Sequence, residues 1–188
     1  MPKLRMKRHA VTQPLDPSYK IIALTRGQET MVDAADYPWL NQWNWRAQWN
    51  HKTGSFYAVR TQCINGKKGP VLHMAREILG CGPSEQADHK NHDTLDNRRK
   101  NLRKATPGQN SCNRRLRSDN SSGYKGVSKI GNRWRAVIHN GEKNIHLGCF
   151  KTTEEAAHTY DEAAKKIHGE FAVLNFPQSS YAVPDPVK

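Results

Sequence analysis

Two side chains that could act together in hydrolysis stand next to each other at Asp88 and His89. A carboxylate supplies hard oxygen atoms that bind Mg²⁺ or Mn²⁺, and a histidine, with an ordinary pKa of about 6.5, can accept a proton at neutral pH. Asn110 adds another oxygen donor, because Thr106 and Pro107 predict that a helix begins there and places Asn110 in its first turn. These residue types favour metal-assisted hydrolysis with His89 as the base.

The elements around these residues must bring the three side chains together. The pattern predicts a short strand that runs into Asp88 and His89, a polar loop, a second strand at 101–105 and then the helix. In such a ββα unit the helix can fold back over the strands, so that Asp88 and His89 face Asn110. Because neighbouring residues on a strand point to opposite faces, the strand must end or bend at the Asp88 and His89 pair.

A run of basic residues follows the candidate site. Residues 98–117 contain eight basic residues and no acid, whereas Asp88, Asp93 and Asp96 lie upstream. An ordinary solvated face would intersperse acids among the bases, so the run favours contacts to phosphate groups. The residues predicted to make these contacts are Arg98, Arg99, Arg103, Arg114, Arg115 and Arg117.

Composition limits the class of protein. The 188 residues, 36% of them apolar, suffice for one ordinary domain or for two or three small ones. The net charge of +13 predicts a polyanionic partner, for which nucleic acid and an anionic membrane both qualify. No apolar run approaches the roughly 20 residues that cross a bilayer, and the basic start is followed by no hydrophobic signal core. We therefore expect a soluble, cytoplasmic protein.

The four cysteines form no Cys-x-x-Cys pair, which argues against a disulfide framework and against a thiolate zinc site. We expect them to be reduced, and we expect no structural zinc. Spacing alone leaves one alternative open, a mixed metal site. Its ligands would be Cys81, His89, His92 and Cys112.

The N-terminal part has a mostly strand-like pattern over about 19–71, with a turn at residues 52–54, which predicts a small antiparallel sheet. A short helix is expected over 72–79 and should end at Gly80. Four tryptophans are expected to form the core of this sheet region, and base stacking is the alternative. They are Trp39, Trp43, Trp45 and Trp49.

The C-terminal part begins after a small, polar stretch at 118–123 that is typical of a linker. Two alternating strands, 133–139 and 144–147, are joined at Asn140 and Gly141, which predicts a hairpin. A helix should follow, with a capping box formed by Thr152 and Glu155 and an end at Gly169. Its apolar stripe is predicted to be Ala156, Ala157, Tyr160, Ala163, Ala164 and Ile167.

The stretch around Asp88 resembles the HNH family of ββα-metal nucleases, in the His-Asn-Asn variety found in phage and homing endonucleases. The resemblance is carried by Asp88-His89, by Leu95-Asp96-Asn97-Arg98-Arg99, by Asn101-Leu102-Arg103 and by Asn110. It implies that His89 is the general base, that Asp88 and Asn110 bind one divalent metal, and that Asn101 braces the histidine loop. The last family position is often histidine but is Asn110 here, which leaves the metal preference open between Mg²⁺ and Mn²⁺.

The region from 123 to 177 resembles the AP2 DNA-binding domain. The motifs include Tyr124-Lys125-Gly126-Val127, Trp134-Arg135-Ala136-Val137-Ile138, Leu147-Gly148-Cys149-Phe150 and Ala172-Val173-Leu174-Asn175-Phe176. The resemblance implies a three-stranded antiparallel sheet packed on one helix, with one sheet face entering the major groove of double-stranded DNA. The predicted DNA-binding residues are Lys125, Lys129, Arg133, Arg135, His139, Asn144 and His146.

Together these patterns predict an α+β protein with an N-terminal antiparallel β region (19–71) and a ββα-metal unit (84–117) in a nuclease region 1–117. A linker at 118–123, an AP2-like domain at 124–177 and a tail at 178–188 complete the predicted organisation. The function that fits best is a DNA endonuclease of homing or phage type. A DNA-binding regulator with an inactive nuclease remnant is the alternative, and RNA is a weaker alternative for the substrate.

Overall fold

A computed structural model of the chain describes residues 9–113, 116 and 119–177. These residues form a mixed α+β fold with four small antiparallel sheets and few helices. The backbone divides into two compact units, Met1–Pro107 and Gly108–Lys188. The predicted phosphate contacts of Arg114, Arg115 and Arg117 and the predicted tail at 178–188 lie outside the described residues. In the part of the chain that is described, no helix has the length and apolar character needed to span a membrane.

The first unit consists of three small sheets and two short helices. A hairpin of β1 (Tyr19–Ala23) and β2 (Glu29–Asp33) comes first, followed by α1 (Tyr37–Leu40). A meander follows, consisting of β3 (Arg46–Asn50), β4 (Ser55–Ile64) and β5 (Lys67–His73). Helix α2 (Met74–Leu79) leads to an antiparallel pair of β6 (Gln86–His89) and β7 (Leu102–Ala105), and a 3-10 turn at Arg99–Asn101 precedes β7.

The core of the first unit joins the hairpin, the meander and β7 in one apolar cluster. Its members include Ile22, Leu24, Val32, Leu40, Trp45, Ala47, Ala58, Met74, Ile78 and Leu102. Trp45 is buried as expected, and its indole Nε1 donates a hydrogen bond to the carbonyl oxygen of Leu40. The expectation was wrong for Trp43 and Trp49, which are 41% and 38% exposed. Trp43 instead stacks against the guanidinium of Arg60, 4.3 Å from the ring centroid.

Helix α2 differs from the prediction at its start. It begins at Met74, because Leu72 and His73 still pair with Arg60 and Val59 of β4. It ends as predicted at Gly80, which adopts a left-handed conformation with φ of 59°. The register of the meander therefore continues two residues further than the apolar pattern indicated.

The second unit contains a short helix, a three-stranded sheet and a long helix. Helix α3 (Pro107–Cys112) begins at the last residue of the first unit, and β8 (Val127–Ile130), β9 (Arg133–His139) and β10 (Asn144–Phe150) form a sheet in the order β10-β9-β8. The predicted hairpin at Asn140 is confirmed, and the amide oxygen of its side chain accepts from the backbone N–H groups of Glu142 and Lys143. Strand β10 continues past a bulge between His146 and Gly148 and ends at Phe150, so the strand is longer than predicted.

Helix α4 (Thr153–His168) packs across this sheet. Its predicted capping box is present: Glu155 donates its backbone N–H to Thr152 Oγ1, and the Glu155 carboxylate accepts from the Thr152 N–H. The apolar stripe is buried at Ala156, Ala157, Tyr160 and Ala164, but Ile167 is 38% exposed, so the prediction was wrong at its last position. Gly169 ends the helix with φ of 53°.

The chain after α4 is fastened by a carboxylate that the apolar pattern did not identify. Asp161 is buried on α4 and accepts hydrogen bonds from the backbone N–H groups of Asn175 and Phe176 at 2.9 and 2.8 Å. The Asn175 side chain in turn accepts from the backbone N–H of Lys125. The segment at 172–176 therefore closes one side of the second unit.

Candidate functional site

Asp88 and His89 lie side by side at the end of β6, and both are buried, with 5% and 6% of their surface exposed. Strand β6 ends at His89, and the convergence of these two neighbouring side chains on one site stays a prediction. In the register of the β6–β7 pair, Asp88 faces Arg103 and His89 faces Leu102. The two candidate chemical groups are thus fixed by a strand and not by a loop.

The carboxylate of Asp88 is held by an arginine that was predicted to bind phosphate. Arg103 Nε donates to Asp88 Oδ2 at 2.8 Å, and both side chains are nearly buried. The ion pair keeps a charged carboxylate inside the protein by matching it with a guanidinium. Arg103 therefore orients the predicted metal ligand in this structure.

The imidazole of His89 is held in one orientation by an asparagine. His89 Nε2 donates to the side-chain oxygen of Asn97 at 3.1 Å, and Asn97 is itself buried. Burial lowers the pKa of His89 below its ordinary value of 6.5, although the hydrogen bond to Asn97 and the nearby carboxylate of Asp88 act in the opposite direction. The lowered pKa of His89 favours the neutral imidazole, which is the form that can accept a proton.

Asn101 braces the loop that follows His89. Its side-chain N–H₂ donates to the Asp96 carbonyl oxygen at 2.8 Å, and its side-chain oxygen accepts from the backbone N–H of Asn91 at 3.0 Å. The Asn101 carbonyl accepts from the backbone N–H of Lys90 at 2.9 Å. One buried side chain thus connects Asn91 to Asp96 across the loop, and the predicted catalytic role of Asn101 stays a prediction.

Two further arginines of the basic run are bound to carboxylates. Arg98 forms a two-pronged ion pair with Asp96 through contacts of 2.7 Å. Arg99 forms a similar pair with Asp36, at 2.7 and 2.8 Å, and its side chain stays 56% exposed. The absence of acids within the run was misleading, because Asp36 joins it from 63 residues away in sequence. Phosphate contacts by Arg98, Arg99 and Arg103 stay predictions.

Asn110 lies on α3 and belongs to the second unit, so its convergence with Asp88 and His89 stays a prediction. Among the described residues, no three His, Cys, Asp or Glu side chains cluster in a way that could hold a metal ion. The alternative mixed site of cysteines and histidines therefore finds no support in that part of the chain.

The exposed face of the β8–β10 sheet gathers most of the predicted DNA-binding residues. The small and apolar residues Ala136 and Ile138 of β9 are buried against α4, as predicted, with Trp134 partly buried beside them. The alternate residues are exposed, and the register places Asn144 opposite His139. The predicted residues on this face are Arg133, Arg135, His139, Asn144 and His146.

Two predicted DNA-binding lysines do not lie on that face. Lys129 pairs with Trp134 in the register, and its ammonium lies 5.9 Å from the centroid of the Trp134 ring, on the side of the sheet that packs against α4. Lys125 turns inward and donates to the carbonyl oxygen of Cys112, and burial lowers the pKa of Lys125. The alternation of the strand locates the arginines on the exposed face but not these two lysines.

The sequence analysis assigned no role to Asn97 or Thr30. Asn97 is hydrogen-bonded to His89, and Thr30 is hydrogen-bonded to Asn97. Asn97 stands within the stretch that carries the nuclease resemblance, so a signal for it was present. Thr30 lies on β2, 67 residues before Asn97, and no local pattern points to it. Only the folded chain brings Thr30 next to the candidate site.

Comparison with curated proteins gives two kinds of relatives. The chain is 42% identical over 101 residues to an uncharacterized HNH endonuclease of Acanthamoeba polyphaga mimivirus, which covers 52% of this chain and 51% of that protein. In another region it is 46% identical over 70 residues to an AP2-like ethylene-responsive transcription factor of Arabidopsis thaliana, covering 35% of this chain and 12% of that protein.

A dehydration-responsive element-binding protein of Arabidopsis thaliana is 46% identical over 59 residues, or 30% of this chain and 18% of that protein. No protein family model matches the chain. The chain spans about half the length of the mimivirus relative and less than a fifth of these plant relatives. It is thus similar to an HNH endonuclease in one region and to AP2-like transcription factors in another.

Proposed function

We propose that this chain is a DNA endonuclease in which the Asp88 and His89 pair cuts a phosphodiester bond and the β8–β10 sheet docks on duplex DNA. The observation that carries the proposal is the buried pair at the end of β6, with His89 held through Nε2 and its loop braced by Asn101. The name of the mimivirus relative, an HNH endonuclease, points to the same reaction.

His89 would act as the general base. A neutral imidazole whose Nε2 carries the proton has its lone pair on Nδ1, and that nitrogen can take a proton from a water molecule attacking the phosphate. General-base catalysis of this kind contributes ~10²–10⁴-fold to a rate. Because β6 and the Asn97 contact fix the ring, little rearrangement is needed when the water is deprotonated.

The donor atoms of the site suit a hard divalent cation. Asp88 and Asn110 offer a carboxylate and an amide oxygen, and substrate phosphate and water would complete the shell, as Mg²⁺ and Mn²⁺ prefer. Such an ion, when bound, neutralises charge at the scissile phosphate and on the departing 3′ oxygen. Arg103 holds Asp88 in one orientation through its 2.8 Å contact.

The sheet of the second unit would determine where the protein binds on DNA. A three-stranded sheet fits the major groove, and its exposed arginine, asparagine and histidine side chains can bond base edges and phosphates. One of the plant relatives that match the chain is a transcription factor by name, and another is an element-binding protein by name. We assign Arg133, Arg135 and Asn144 as the central contacts, and we place the enzyme in the homing or phage type of endonuclease.

Cleavage of supercoiled plasmid DNA tests the function. The wild-type protein should relax the plasmid with Mg²⁺ or Mn²⁺ and lose this activity in EDTA. His89→Ala and Asp88→Ala should cut at least ~10²-fold more slowly while binding DNA with unchanged affinity. His51→Ala removes an exposed histidine from the same unit and should cut like the wild type. Equal cleavage by the Asp88→Ala/His89→Ala double variant would refute the assignment.

The second candidate function is a DNA-binding regulator that retains an inactive nuclease unit. The observation in its favour is the ion pair of Asp88 with Arg103, which occupies the carboxylate that an ion would need. This candidate predicts tight, metal-independent binding to duplex DNA and no cutting of any DNA with Mg²⁺ or Mn²⁺. RNA competition in the same binding assay separates both candidates from an RNA-directed protein.

A further inference from the structure

A chain of buried hydrogen bonds runs from the N-terminal hairpin to the imidazole of His89. Thr30 Oγ1 donates to the carbonyl oxygen of Leu95 at 2.7 Å, and Asn97 donates its side-chain N–H₂ to Thr30 Oγ1 at 2.8 Å. The side-chain oxygen of Asn97 then accepts from His89 Nε2 at 3.1 Å. Thr30 and Asn97 are each 1% exposed, so water does not replace these partners.

Which group donates and which accepts in each of these hydrogen bonds follows from the first bond, the one that Thr30 donates to Leu95. A backbone carbonyl oxygen can only accept a hydrogen bond, so the Thr30 hydroxyl donates its one hydrogen to the carbonyl oxygen of Leu95. Thr30 Oγ1 can then only accept from Asn97, which turns the N–H₂ of the amide toward Thr30 and the amide oxygen toward His89. An amide oxygen can only accept, and the ring proton of His89 must therefore sit on Nε2.

The support for this chain is itself rigid. The backbone N–H of Met31 donates to Leu95 at 2.9 Å, and the N–H of Asn97 donates to the Met31 carbonyl at 2.8 Å. These two bonds fasten the segment around Asn97 to β2 in the manner of a short strand pair. The β1–β2 hairpin thus holds both neighbours of Thr30: the carbonyl group of Leu95, which accepts from Thr30, and Asn97, which donates to Thr30.

We propose that Thr30 is a positioning residue that, through Asn97, sets the tautomer of His89 so that Nδ1 faces the reaction as the base. The catalytic consequence rests on the proposed nuclease function, whereas the tautomer can be measured without DNA or metal. The β1–β2 hairpin is then part of the nuclease unit, because Thr30 on β2 belongs to the series of hydrogen bonds that ends at His89.

The tautomer is tested first, by ¹⁵N NMR of the imidazole nitrogens in the full-length protein. The chain has nine histidines, so His89→Gln identifies the signals of His89. In the wild type, Nε2 should be protonated and Nδ1 should not. Thr30→Val keeps the side-chain volume but lets the Asn97 amide turn over, so His89 should become a mixture of both tautomers. Thr30→Ser retains the hydroxyl and should restore the wild-type spectrum.

The kinetic test follows the same series of variants. Thr30→Val should lower kcat between about twofold and tenfold with KM unchanged, since a mixed tautomer leaves only part of the enzyme competent. Asn97→Leu removes the acceptor of the Nε2 proton and should lower kcat by ~10²-fold. Thr30→Ser should retain wild-type kcat.

Thr25→Val is the matched control. Its hydroxyl accepts a hydrogen bond from the Ala47 N–H at 3.1 Å in the same unit. It does not belong to the series of hydrogen bonds from Thr30 to His89. This variant also loses a hydroxyl that bonds within the first unit, but it should leave the His89 spectrum and kcat unchanged.

Two results would overturn the proposal: a wild-type His89 that carries its proton on Nδ1, or a Thr30→Val variant with the wild-type tautomer. An equal fall of kcat in Thr25→Val would reduce Thr30 to a merely structural residue. If the spectra follow expectation but the wild-type protein cuts no DNA, the nuclease function fails while the tautomer assignment stands. These readouts therefore separate the two claims.

Discussion

At the scale of single residues, the carboxylates of the first unit differ in how well their arginine partners are shielded from water. Arg103 and Asp88 are 10% and 5% exposed as side chains, whereas Arg99 is 56% exposed beside a buried Asp36. Shielding decides the strength of each pair, because water screens the attraction of an exposed guanidinium for a carboxylate more than that of a buried one. Two predictions follow from this difference.

Removal of the Arg103 charge should destabilise the first unit strongly. Arg103→Met removes the guanidinium that pairs with the buried Asp88 carboxylate and should lower the free energy of unfolding by about 3 kcal/mol. Arg99→Met is the matched control: its guanidinium is 56% exposed, so water already screens its attraction to Asp36, and its loss should cost about 1 kcal/mol or less. Urea unfolding measures both. Combining Asp88→Asn with Arg103→Met should recover much of the loss, and a smaller cost for Arg103→Met than for Arg99→Met would contradict the argument.

The Asp36 carboxylate makes stability depend on pH in the acid range. Burial raises the pKa of Asp36, but the hydrogen bonds from Arg99 and Trp39 outweigh it, so the pKa falls below its ordinary value of 3.8. A carboxyl group whose pKa is lower in the folded protein stabilises the fold fully above pH 3.8 and loses that contribution as the pH falls through the folded-state pKa. The stability difference between wild type and Asp36→Asn should therefore be constant near neutral pH and shrink below pH 3.8. A difference independent of pH would exclude this role.

At the scale of elements, the fit between β8 and α4 depends on one glycine. Gly126 precedes β8 with φ of +76°, and a Cβ placed there would lie 2.0 Å from Cδ2 of the Tyr160 ring. Tyr160 is buried on α4, so neither the ring nor the strand can move away cheaply. The Tyr160 ring of the helix therefore lies directly against the backbone of Gly126.

Gly126→Ala should destabilise the second unit by at least about 3 kcal/mol, the sum of steric overlap and a left-handed backbone. Gly131→Ala is the matched control: its φ of +56° carries the same backbone cost, but nothing lies within 4 Å of the added carbon. It should cost about 1–2 kcal/mol. Thermal unfolding of the two variants separates the contributions. Equal costs would show that Tyr160 makes way.

Elements with strong local signals could be predicted from the sequence, and contacts between distant elements could not. The capping box at Thr152 and the end of α4 at Gly169 depend on residues within one or two turns, and both were located. The bond from Asn97 to Thr30 joins residues 67 apart, and the pair of Arg99 with Asp36 joins residues 63 apart. Neither leaves a periodic trace in the sequence.

The candidate site divides in the same way. Asp88 and His89 could be chosen by residue type and position, and Asn101, within fourteen positions of them, by the motif that resembles the HNH family. The partners that orient them depend on strand register and on the N-terminal hairpin. A sequence therefore locates chemical groups more readily than the second layer that fixes their geometry.

At the scale of the whole molecule, the proposed function separates cutting from docking. The reacting groups Asp88 and His89 lie in the first unit, whereas the exposed arginines of β9 lie in the second. A net charge of +13 gives any DNA a general attraction to the chain, and this attraction must be distinguished from recognition by the sheet. A charge-matched pair of variants makes that distinction.

Arg133→Gln/Arg135→Gln removes two positive charges from the sheet face, and Lys165→Gln/Lys166→Gln removes two from exposed positions on α4. If the sheet enters the major groove, the arginine variant should bind its DNA at least about tenfold more weakly, because each lost contact is worth about 1–3 kcal/mol. The lysine variant should lose only the general attraction and bind within about threefold of the wild type at physiological salt. At saturating DNA, both should cut at the wild-type rate, since neither touches His89. Fluorescence anisotropy and nicking assays measure the two quantities, and equal weakening by both variants would mean that charge alone holds the DNA.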